Sequence, residues 1–171
     1  MGATRSREVR TSFKIKTSGM NAVLAELEAA TNIEPICEEA LYMGANMLAD
    51  YMRSQLLSLK TTEENYRSDR RYCYKKEKEL LLNEMGYTPV SFWAENYNVK
   101  IGFDGYGYPT PKYPNGIPTQ MLANTVNRGN SFMIPQPFIT RTLRKGRKDV
   151  IEALKQFFDR ELARVTRSKA A

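Results

Sequence analysis

The chain contains no histidine. That removes the one side chain whose ordinary pKa lies near neutrality, and with it most acid-base, triad and zinc-site chemistry. Cysteine is nearly absent as well. Cys37 and Cys73 are the only two, 36 positions apart and in no metal-ligand pattern. They could pair in an oxidising compartment, but two reduced cytoplasmic thiols are the expectation. No run approaches the roughly 20 apolar residues that a bilayer-spanning helix needs, and Met1 to Lys16 lacks the apolar centre of a signal peptide. A soluble protein that begins life in a cytoplasm, neither a metal nor a thiol enzyme, is expected.

What is present is globular and basic. Apolar residues make up 42% and charged residues 26% of 171 positions, with a net charge of +7. The charge is unevenly spread. Residues 1–16 carry five bases and one acid, 17–59 one base and six acids, and 132–171 ten bases and four acids. Such polarity suits nucleic-acid contact, and it equally suits copies of one protein docking acidic patch on basic patch.

Residues 1–10 read as a flexible basic arm, and 11–168 as a single domain. Phe13 and Ile15 alternate with lysines, predicting a short strand closed by Gly19. Val23, Leu24 and Leu27 predict a short amphipathic helix over 20–31. Pro35 opens the next helix. Ile36, Ala40, Met43, Met47 and Tyr51 make one apolar row, and Leu41, Leu48, Met52, Leu56 and Leu59 another, so a helix over 36–59 is expected at the centre of the core. Its methionines are read as core filling.

The charge-dense stretch 60–84 predicts a helix from about residue 63, capped by Gly86. Val90, Phe92, Tyr97, Val99, Ile101 and Phe103 favour strands, with a turn near Glu95-Asn96. Asp104 to Pro118 is a glycine- and proline-rich loop interleaved with Tyr106, Tyr108 and Tyr113. A loop this long in a compact domain is usually functional or used in assembly. A short helix over 118–126 follows, then the stiff lead-in Pro135-Gln136-Pro137-Phe138. Ile139, Leu143, Gly146, Val150, Leu154, Phe157, Leu162 and Val165 predict one long helix over 138–166. Gly146 lies on its apolar stripe, where glycine costs about 1 kcal/mol against alanine; close approach of another backbone would offset that. The expected class is α+β, a small antiparallel sheet packed against a long central helix and a long C-terminal helix.

No motif carries catalysis. Gly102, Gly105 and Gly107 lack the strand-to-helix setting of a phosphate cradle and read as a tight turn opening the loop. The aromatic run Lys100 to Tyr108 has an acid at its middle and no companion strand for base stacking. Glu38-Glu39 and Glu63-Glu64 are adjacent pairs that cannot converge from a helix. The run Arg141, Arg144, Lys145, Arg147, Lys148 lies in the N-terminal half of a helix, where the dipole disfavours cations. It is read as a solvated face, a contact for acidic residues of another subunit, or a phosphate contact.

Three stretches, taken in order, carry a resemblance. They are Tyr97-Asn98-Val99-Lys100-Ile101-Gly102-Phe103-Asp104-Gly105-Tyr106-Gly107; Gly116-Ile117-Pro118 leading through Leu122-Ala123-Asn124 to Arg128-Gly129-Asn130-Ser131; and Pro135-Gln136-Pro137-Phe138. The order resembles the tail-component family of long-tailed double-stranded DNA phages, which act in head-to-tail joining and tail completion. The resemblance runs from about residue 13 to 165 and implies a non-enzymatic virion protein without cofactor. It implies a ring, commonly a hexamer, around the DNA channel. Its partners would be a head-side connector or stopper protein and a tail terminator or tail tube protein. Double-stranded DNA would pass without sequence readout, and no membrane is involved. Tyr106, Tyr108, Tyr113, Phe138, Arg144, Lys145, Arg147 and Lys148 are then the expected interface residues. The rival expectation is a free-standing basic nucleic-acid-binding protein.

Overall fold

The structure, a computed structural model, describes residues 33–64, 69–93 and 96–170. The arm expected over 1–10, the strand at Phe13–Ile15 and the helix over 20–31 lie outside the described residues.

The first described element is α1 (Glu34–Leu57). Pro35 sits in its first turn, where a missing N–H costs nothing. The two apolar rows bury Ile36, Ala40, Leu48, Met52 and Leu56, while Met43 and Met47 pack at the edge of the core. The last element, α4 (Phe138–Ala170), is 33 residues long, about 50 Å at 1.5 Å per residue.

These two helices run antiparallel. Gly44 of α1 faces Val150 and Leu154, whereas Gly146 of α4 faces Leu48 and Tyr51. Partners therefore move backwards along α4 as α1 advances. A methyl group on Gly146 would stand 2.9 Å from Tyr51 Cδ2 and 3.0 Å from Leu48 Cδ2. The neighbours that crowd Gly146 are the Leu48 and Tyr51 side chains, where the sequence suggested another backbone. Gly44 makes the matching approach from the other helix, with Val150 Cγ1 only 3.3 Å from its Cβ position.

Small strand pairs pack beside this helix pair. β1 (Thr61–Thr62) and β2 (Cys73–Tyr74) pair in parallel. α2 (Lys75–Asn83) follows β2 directly. β3 (Met85–Tyr87) pairs antiparallel with β6 (Ile101–Phe103), placing Gly86 opposite Gly102. Between them β4 (Ser91–Trp93) and β5 (Asn96–Asn98) form an antiparallel hairpin, at the place the turn near Glu95-Asn96 predicted. α3 (Thr119–Arg128) follows the long loop. The class is α+β, with small antiparallel pairs set against a long central and a long C-terminal helix.

The stretch 60–84 corrects one expectation. Its helix begins at Lys75, not near residue 63, and Gly86 is a strand residue rather than a cap. Backbone groups of Arg71 are used elsewhere: its N–H donates to the Phe132 carbonyl, and Ile134 N–H donates back to the Arg71 carbonyl. Charge density allowed a helix, but pairing with a distant segment took those groups.

The lead-in to α4 is fastened by one buried amide. Lys60 N–H donates to Gln136 Oε1 at 2.8 Å, and Gln136 Nε2 donates to the Lys60 carbonyl at 2.9 Å. This joins the chain just past α1 to the chain just before α4. Phe138 then enters the core at 0% exposure, edge-to-face with Phe103 at 6.0 Å.

Candidate functional site

The long loop folds as a finger. Its two limbs bond to each other: Gly107 N–H donates to the Ile117 carbonyl at 2.8 Å and Thr119 N–H to the Gly105 carbonyl at 3.2 Å. At the tip, Thr110 and Tyr113 exchange two N–H···O bonds of 2.9 Å. The turn back requires glycine. Gly116 has φ +96°, and a Cβ there would collide with the Gly107 carbonyl oxygen, so any side chain breaks the limb contact.

The finger is tied down at Glu77, a carboxylate only 4% exposed. Arg71 grips it through two hydrogen bonds, Nη1 to Oε2 at 2.8 Å and Nη2 to Oε1 at 3.0 Å. Tyr74 N–H donates to Oε2 at 2.6 Å, and Tyr108 of the finger donates its hydroxyl to Oε1 at 3.1 Å. The Arg71 guanidinium also lies 3.6 Å from the centre of the Tyr74 ring. Burial, and then the charge of Glu77, hold the Tyr108 hydroxyl far above its ordinary pKa. It stays a proton donor throughout the physiological range. Both Glu77 oxygens are taken, so the group serves as a fastening that joins β2, α2 and the finger.

The expected interface residues separate into three groups. Tyr106 is 67% exposed, and Tyr113 is half-buried with its hydroxyl 3.4 Å from Met121 Sδ. Tyr108 turns inward to Glu77. Phe138 is a correction: it is wholly inside the core, because the helix that begins there packs its first side chain against Phe103 and presents no surface. Arg144, Lys145, Arg147 and Lys148 are all exposed on α4. Arg144, Arg147 and Lys148 line a shallow hollow of roughly 340 Å³ with Leu143 and Ile151. On α1, Glu38, Glu39 and Asp50 edge a wider depression with Tyr42, Met43 and Met47.

Sequence reasoning missed Arg71 and Glu77. Glu77 stands three residues after the helix-starting Tyr74, the spacing of a capping box. That spacing is read from Ser or Thr at the first position, and a tyrosine there hides it. Both cysteines are buried, and neither is in a disulfide. Among the described residues no group of three Cys, Asp or Glu side chains is arranged to hold a metal ion, and no helix is long and apolar enough to cross a membrane. Comparison with protein-family models, with curated proteins and with solved structures finds no match.

Proposed function

We propose that this chain is a non-enzymatic structural protein of the phage neck, joining the head connector to the tail tube as one subunit of a ring around the DNA channel. It would reside in the virion, after assembly in the host cytoplasm. The ordered resemblance to the tail-component family motivates the reading, and the finger is the observation that carries it.

The finger is internally hydrogen-bonded, fastened to Glu77, and still holds Tyr106 at 67% exposure. A preorganised loop loses little conformational entropy when it docks, and an exposed tyrosine is a common anchor at protein interfaces. These properties suit an element that reaches across a subunit boundary.

The test is complementation of a phage in which this reading frame is interrupted. The wild-type chain should restore particles with attached tails. A Tyr106→Ser/Lys112→Glu variant, folded by circular dichroism, should leave heads and tails unjoined. Normal infectious particles made without any copy of the chain would refute the role. They would leave the second reading, a free-standing nucleic-acid-binding protein, which the exposed cations of α4 favour.

A further inference from the structure

We propose that Arg141, Arg144, Lys145, Arg147 and Lys148 on α4 form a contact for the phosphate backbone of double-stranded DNA, without sequence readout. Binding by this face is separate from the neck role, since a chain lacking it could still join heads to tails through the finger.

The five side chains fall within eight consecutive helical positions, which is about 10.5 Å of helix axis between the outermost two. Arg141, Arg144 and Lys148 are three and four positions apart, so they make one row. Lys145 and Arg147 flank that row. Thr142, Gly146 and Val150 lie on the opposite, buried side. All five cations are exposed, and none is paired with a carboxylate among the described residues.

The single acid between Phe138 and Ile151 is Asp149. It accepts a hydrogen bond from the Tyr51 hydroxyl of α1 and so is engaged at the helix-helix contact. Like charges three and four positions apart repel by a few tenths of a kcal/mol per pair, and the N-terminal end of a helix is itself positive. Asp149 and Glu152 stand four positions after Lys145 and Lys148 and offset part of that cost, whereas Arg141, Arg144 and Arg147 have no acid three or four positions away. An external polyanion would offset the rest.

Charge density selects the polyanion. Duplex DNA carries one negative charge per about 1.7 Å of axis, which is about six over the length of this face, against five cations. No eight-residue stretch of the described chain exposes more than three carboxylates, a number reached by Glu34, Glu38 and Glu39 and by Glu63, Glu64 and Asp69. A second copy docked helix to helix would leave cations unmatched. The long aliphatic stems of Arg and Lys suit phosphate contact. The row holds no Asn or Gln to read an adenine edge.

The experiment is fluorescence anisotropy of the full chain on a random-sequence 30-base-pair duplex from 50 to 200 mM salt. One variant replaces the five α4 cations with glutamine. A second replaces Arg53, Lys75, Lys100, Lys112 and Arg128, which are exposed elsewhere, and changes the net charge equally. The bases of residues 1–16 are common to both, so the difference between variants is the readout. The α4 variant should bind at least about tenfold more weakly at 100 mM salt, and its log-log salt slope should be shallower by roughly 4. The control should stay near wild type. Equal losses in the two variants, an unchanged slope, or no wild-type binding at 50 mM salt would overturn the assignment. So would loss of self-association by the α4 variant in sedimentation with duplex binding intact, which would give the face to a protein partner.

Discussion

Tyr108, on the finger, donates its hydroxyl to Oε1 of Glu77, 31 residues earlier in the chain. The two ends of this bond are unequal. Tyr108 brings one bond, whereas Glu77 also neutralises the half-buried Arg71. Tyr108→Phe should therefore cost only about 1 kcal/mol of global stability while raising amide hydrogen exchange over 105–118. Glu77→Ala strands the Arg71 guanidinium and should cost about 3 kcal/mol in urea unfolding. Equal, small losses in both variants would show that Glu77 is no fastening.

Gly146 offers a test of the helix pair. Alanine should add about 1 kcal/mol of helix propensity. Its methyl, however, would meet Tyr51 Cδ2 at 2.9 Å, and that ring is held by its hydrogen bond to Asp149. Gly146→Ala is expected to be net destabilising by about 1 kcal/mol and Gly146→Val by 2–3 kcal/mol, read from thermal or urea unfolding. A stabilised alanine variant would contradict the close approach.

Thr119 Oγ1 is buried without a hydrogen-bond partner among the described residues, at 0% residue exposure. A desolvated hydroxyl without a partner costs free energy. Thr119→Val, nearly the same shape, should raise stability by about 1 kcal/mol. A loss of similar size would mean that the hydroxyl is satisfied in solution.

Cys73 supplies a pH dependence. Burial, reinforced by the charge of Glu77, pushes its thiol up to about 11 from 9.0. The folded state thus favours the neutral thiol. Its contribution is fully present below pH 9 and is lost as pH rises through 11, amounting to roughly 3 kcal/mol at most. Tyr108, also raised, acts in the same direction. Urea unfolding at pH 8, 9, 10 and 11 should show the decline, and Cys73→Ala should flatten part of it.

The long elements were legible from local pattern. α1 and α4 fall within a few residues of the expected bounds because apolar rows at spacings of three and four persist over many turns, and Gly146 on such a row pointed to the close contact it makes. The run 60–84 misled because propensity is a weak signal for a segment whose backbone pairs with residues far along the chain. The Pro-Gln-Pro-Phe lead-in was visible as stiff chain. Nothing local said that Gln136 would clasp Lys60, 76 positions away, or that Phe138 would be core rather than surface.

The sequence by itself determined the two long helices, the hairpin position and the polarity of charge, since each follows from neighbours along the chain. Only the tertiary structure decided that the glycine- and proline-rich loop is a fastened finger. A buried carboxylate finds its partners by packing, and hydrogen bonds to Arg71, Tyr74 and Tyr108 join segments whose meeting leaves no local trace.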